Sequence, residues 1–187
     1  METSKSLKTI QTVFKVVKVI SIIVLICSII GAVGCAIGIV TLSSLGSLAI
    51  DGKTLEELIV ERSGENMGTM IANMTEGVIL CAAEAVLAAF AKKYCVAELN
   101  AGTPFTFEGA KQLRDLSLLV IFVSLGAAVV AAIAYAVVSL LYSDVGQTDF
   151  EVAINLGTGL MLLFLSVVFK HGAEVAEKNK EDPPVLE

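Results

Sequence analysis

Long apolar runs separated by short charged stretches set the pattern of this chain. Between Val19 and Leu45 there is no Asp, Glu, Lys or Arg, and the same holds for 116–141 and 152–169. The stretch 68–90 is interrupted only by Glu76 and Glu84. A helix that crosses a bilayer needs about 20 predominantly apolar residues. The pattern therefore predicts an all-α integral membrane bundle of four transmembrane helices, with spans at 19–45, 68–90, 116–141 and 152–169 and the whole of 1–187 forming one membrane domain. A secretory signal peptide has an apolar core of about 7–15 residues, so the first run reads as a retained span.

The polar stretches predict the rest. Residues 1–18 place Lys5, Lys8, Lys15 and Lys18 among Leu7, Ile10, Val13, Phe14 and Val17, an amphipathic lead-in suited to lying at the membrane surface. Residues 46–67 form a loop in which Thr54 opens a short helix carrying early carboxylates. In the loop 91–115, Pro104 suits a first helical turn, and Thr103 or Thr106 can cap the helix that follows. A shorter loop, 142–151, joins the last two spans. The tail 170–187 continues as a polar helix until Pro183-Pro184 stops it.

Basic residues orient the bundle. The lead-in holds four of the 13 Lys/Arg residues, the 91–115 loop four and the tail three, whereas 46–67 holds only Lys53 and Arg62. Cytoplasmic segments carry the excess of Lys and Arg. Both termini and 91–115 are thus expected in the cytoplasm of a plasma-membrane protein, with 46–67 and 142–151 outside. Composition agrees: 56% of residues are hydrophobic, the mean hydropathy is +0.83 and only 17% are charged, against about 25% charged in a soluble domain. The net charge of −6 speaks against a nucleic-acid surface, which is usually basic. Cys27, Cys35 and Cys81 lie in apolar runs, and no Cys-x-x-Cys pair occurs, so the cysteines read as small packing residues.

Candidate chemistry is sparse. His171 is the only histidine, which excludes an HExxH or multi-histidine metal site, and neither a Walker loop nor a GxSxG elbow is present. No catalytic residue, cofactor or metal is expected. Glu84 stands out because it lies six residues inside the end of its span, about 9 Å at 1.5 Å per residue. A carboxylate at such depth is costly and should face the bundle interior, where Ser124 lies at a matching level. Gly34 and Gly38, four apart on one face, are the candidate packing glycines of the first span. The third span offers Gly126 and several alanines, and the fourth Gly157 and Gly159. Asn73, Thr75 and Glu76, with Asn155 and Thr158, could make a polar layer near the opposite end. In the 91–115 loop, Phe105 and Phe107 with Lys111 and Arg114 form a candidate partner-contact surface, since aromatic and arginine side chains anchor interfaces.

The segment Gly102-Thr103-Pro104-Phe105-Thr106-Phe107-Glu108-Gly109-Ala110-Lys111-Gln112-Leu113-Arg114 resembles part of a family of small four-span membrane proteins of Gram-positive bacteria. Cys81 to Leu87 and Phe169 to Glu174 resemble it too. That family is a domain of unknown function. The resemblance implies the same four-helix topology and a gene sometimes beside that of a helix-turn-helix regulator, but no activity. The tail has less glutamate than the resemblance leads one to expect. These readings converge on a non-enzymatic, multi-pass membrane protein with an accessory or regulatory role, in contact with lipid and with a protein partner or further copies of itself. The alternative is a small channel or proton-coupled transporter that uses Glu84.

Overall fold

The computed structural model describes residues 2–45, 48–50, 52–102, 106–142, 145–146 and 153–181. Its elements are α1 (Glu2–Leu45), β1 (Ala49–Ile50), β2 (Lys53–Thr54), α2 (Leu55–Ser63), α3 (Met67–Ala101), α4 (Phe107–Leu141) and α5 (Ala153–Glu181). Four helical stretches among the described residues are long and apolar enough to cross a membrane: Lys8–Ser44, Met67–Ala101, Phe107–Leu141 and Gly157–Val175. Large apolar side chains stand outward along them, among them Ile30, Phe122, Leu140 and Phe164. Soluble monomers rarely expose contiguous apolar surface on this scale. Lipid is the solvent that suits it.

Three expectations need correction. The lead-in is not a separate surface helix but the first part of α1, which runs unbroken from Glu2 to Leu45. No Gly or Pro occurs from Glu2 to Ile30, so nothing breaks the helix where the charged stretch meets the apolar one. The 91–115 loop contracts to a turn at 102–106, because α3 continues to Ala101 and α4 begins at Phe107. Gly102 adopts φ 74° and donates its N–H to the carbonyl of Glu98 at 3.2 Å, the left-handed glycine stop of a helix. Thr106 then caps α4, its Oγ1 accepting from the N–H of Gly109 at 2.9 Å. Thr103 and Pro104 lie outside the described residues. The loop before α3 also contains an unexpected hairpin, in which Ala49 pairs with Thr54 and Ile50 with Lys53 around Gly52 at φ 84°.

The short helix α2 forms where the sequence placed it. The N–H of Glu57 donates to Thr54 Oγ1 at 3.2 Å and the N–H of Thr54 donates to Glu57 Oε2 at 2.9 Å. This reciprocal capping box satisfies two otherwise orphaned amides.

The chain divides into two compact units. The first comprises Met1–Leu25, Val86–Ser124 and Val152–Glu187; the second comprises Ile26–Ala85 and Leu125–Glu151. In the first, buried Tyr94, Cys95 and Leu113 form a core, with Phe14, Leu116, Leu162 and Phe169 packed against it. Phe14 meets Tyr94 edge-on, with ring centroids 6.0 Å apart. In the second, Leu42, Ile71, Ala72 and Val138 form the core, and Ile59 seats α2 against it. Tyr135 donates its hydroxyl to the carbonyl of Gly146 at 2.6 Å, and the N–H of Gly146 donates to Thr69 Oγ1 at 2.8 Å. These bonds fix the chain after α4 to the start of α3.

Candidate functional site

Glu84 belongs to a seam between α1 and α3 inside the second unit. Its Oε2 accepts a hydrogen bond from Ser28 Oγ at 3.2 Å, and Ser28 is only 3% exposed. One turn along, a methyl placed on Gly31 would meet Cys81 Sγ at 2.9 Å. A methyl on Gly77 would meet Cys35 Sγ at 3.0 Å, and one on Gly38 would meet Met74 Sδ at 2.7 Å. As α1 advances through 28, 31, 35 and 38, α3 retreats through 84, 81, 77 and 74. The two helices are therefore antiparallel, in contact at alternating steps of three and four residues, as in a coiled-coil seam. Each thiol sits over a glycine of the opposite helix. The four cysteines are free, and these two act as close-packing side chains.

Two expected site assignments change here. Glu84 takes Ser28 as its partner, and its side chain is exposed at the edge of the seam rather than enclosed. Ser124, the expected partner, is buried with a hydroxyl that makes no hydrogen bond. A methyl on Gly34 would meet nothing within 4 Å, whereas Gly31 and Gly38 face α3. The contact glycines of α1 are thus seven apart, because the seam repeats every heptad through 28, 31, 35 and 38 and Gly34 falls between two of its contact positions. Gly126 and Gly157 are likewise open, while Gly159 packs on Ile121. In the second unit, Asn73 donates to Glu65 Oε2 at 3.4 Å and Thr75 donates to the carbonyl of Ile71 at 2.7 Å. The side chain of Asn155 lies outside the described residues.

Sequence reading passed over Glu98. In the first unit it is 4% exposed, its Oε2 has no hydrogen-bond partner, and its Oε1 sits directly over Gly109 in the first turn of α4. A side chain at 109 would collide with it, so glycine there admits the carboxyl to the helix N-terminus, where the backbone dipole favours negative charge. A cavity of about 300 Å³ adjoins it, lined by Asn100, Thr106, Glu108 and Gln112 as well. The available signal was the apolar spacing of Tyr94 and Cys95 ahead of Glu98. That spacing extends an amphipathic helix past Lys92-Lys93 and turns position 98 inward.

The residues proposed as a partner surface converge in part. Phe107, Lys111 and Arg114 line one side of a cavity of about 390 Å³, whose other side is formed by Ser166, Val167 and Lys170 of α5. Phe105 lies outside the described residues. Ser166 is buried and donates to the carbonyl of Leu163 at 2.7 Å. Arg114 reaches Asp115 at 3.5 Å and Lys170 reaches Glu174 at 3.9 Å, all with exposed side chains. His171 also lies 3.7 Å from Glu174. Among the described residues, no group of three or more His, Cys, Asp or Glu side chains is placed to hold a metal ion. Comparison with protein-family models, with curated proteins and with solved structures finds no match to this chain.

Proposed function

We propose that this protein is a non-enzymatic, multi-pass plasma-membrane protein that serves an accessory or regulatory role through contacts with other proteins. The observation that carries this reading is the folded platform of the first unit. Tyr94, Cys95 and Leu113 lie beyond the apolar runs that end at Phe90 and begin at Leu116, yet they are buried together. A chain that only needed to cross lipid would have no use for a packed core in that stretch. A rigid base for recognition does, because preorganised surfaces bind at lower entropic cost. The distribution of Lys and Arg supports a cytoplasmic position for this platform and for both termini.

Transport through Glu84 has less support. Discontinuous helices and convergent ionisable groups mark transporter sites, whereas α3 is continuous from Met67 to Ala101 and Glu84 is held by a serine. Native mass spectrometry of tagged protein, released gently from its own membranes, tests the proposal. A second protein in reproducible stoichiometry is expected. A homo-oligomer with no second protein, together with proton or cation flux in liposomes that Glu84→Gln abolishes, would replace this reading with the transport one.

A further inference from the structure

We propose that Lys111, Arg114 and Lys170 hold the phosphate of an anionic phospholipid headgroup in the cavity between α4 and α5. Three cations from two helices line this one space of about 390 Å³, and no carboxylate is among its lining residues. Lys111 and Arg114 are three apart on α4 and so project from the same face. Arg114 offers a planar fork suited to phosphate oxygens and the lysines act as point charges. Their existing engagements are weak: the pairs of Arg114 with Asp115 and Lys170 with Glu174 span 3.5 and 3.9 Å between exposed groups, and such pairs contribute little. Lys111 has no acidic partner among the described residues.

Position selects a lipid over a free anion. Arg114 stands two residues before the apolar run 116–141, and Lys170 directly follows the run 152–169. The cavity therefore lies at the apolar–polar boundary of both helices. Its remaining walls include Phe107 and Val167, which are 45% and 62% exposed. Inorganic phosphate gains nothing from such walls, whereas a phospholipid has glycerol and acyl carbons to lay against them. Basic pockets between membrane helices are a recognised setting for anionic headgroups. The proposal rests on the reading that these helices span a bilayer, and its test separates the two.

The full chain is reconstituted in lipid discs of phosphatidylcholine mixed with phosphatidylglycerol, and the lipids retained are counted by native mass spectrometry. Wild type is expected to enrich phosphatidylglycerol. The combined variant Lys111→Gln/Arg114→Gln/Lys170→Gln is expected to weaken that enrichment by on the order of 100-fold, since each of the three basic residues contributes roughly 1 kcal/mol near an anionic surface. A charge-matched control, Lys8→Gln/Lys15→Gln/Lys18→Gln, should retain it. Conservative Lys111→Arg/Lys170→Arg should retain it as well, which guards against misfolding as the cause of the loss. Equal enrichment in the triple variant, or equal loss in the control, overturns the proposal. Displacement of the bound lipid by millimolar inorganic phosphate would also overturn it, marking a free-anion site. If wild type fails to enter lipid discs at all, the membrane reading falls; if it enters without preferring the anionic lipid, only this proposal falls.

Discussion

The α1–α3 seam of the second unit and the Cys95 core of the first are built from different materials. Along the seam the facing residues are Ser28, Gly31, Cys35 and Gly38 against Glu84, Cys81, Gly77 and Met74. Around Cys95 they are Tyr94 and Leu113, with Phe14, Leu162 and Phe169 packed on them. The difference follows from the surroundings that each contact displaces. Apolar side chains gain little by leaving lipid for protein, so helices in a bilayer hold together by close backbone approach and an occasional interhelical hydrogen bond. Tyr94, Cys95 and Leu113 lie past the runs that end at Phe90 and begin at Leu116, where water is the competitor and burying large aromatic and aliphatic groups becomes favourable. One chain thus uses two packing chemistries along the same helices.

Truncation and overfilling should therefore injure the two regions in opposite ways. Leu113→Ala removes a large side chain that is 4% exposed. It is expected to cost about 2–5 kcal/mol, read as a lowered thermal midpoint in mild detergent and early proteolysis between Ala91 and Asp115. If this change were silent, the core would not be holding the platform together. Enlarging the seam comes next. Gly31→Val forces apart Cys81 and the backbone of α1, at a cost of about 1–3 kcal/mol for overpacking. Gly34→Val, which meets open space, should leave the midpoint unchanged. Equal damage from both would refute the heptad register and point to a second copy packed on Gly34. The smallest effect is expected for the polar rung. Ser28→Ala removes the donor to Glu84, and such interhelical bonds average about 0.6 kcal/mol in membrane proteins. A double-mutant cycle with Glu84→Gln measures that coupling, and a value near zero would show the pair to be incidental.

Much of the fold was legible because bilayer crossing imposes a crude demand on sequence. Length and apolarity alone located α1, α3, α4 and α5, and Thr54 with Glu57 announced α2 through local hydrogen-bond chemistry. Boundaries were harder. The stretch 91–115 looked like a loop because Lys92-Lys93, Lys111 and Arg114 interrupt its apolar residues and Gly102 and Pro104 punctuate its middle. Its helical character depends on burying Tyr94, Cys95, Ala110 and Leu113 against segments distant in sequence. Glu98 was passed over for the same reason, although the spacing of Tyr94 and Cys95 ahead of it carried a signal. Its inward direction follows once α3 is known to continue to Ala101 and Gly109 is known to leave room for a carboxyl.

Glu84 and the glycines mark the division most clearly. The sequence by itself determined that the chain has four membrane-length apolar helices, that basic residues collect in three of the segments between and beyond them, and that Glu84 sits within an apolar run. These are properties of composition along one dimension, and the bilayer reads them directly. Only tertiary structure decided that Ser28 bonds Glu84, that Gly31 rather than Gly34 admits the neighbouring helix, and that Lys111, Arg114 and Lys170 share one cavity. Each of those facts depends on the rotation of one helix against another. A helix rich in small residues offers several nearly equivalent faces, and the summed contacts of its neighbours select among them.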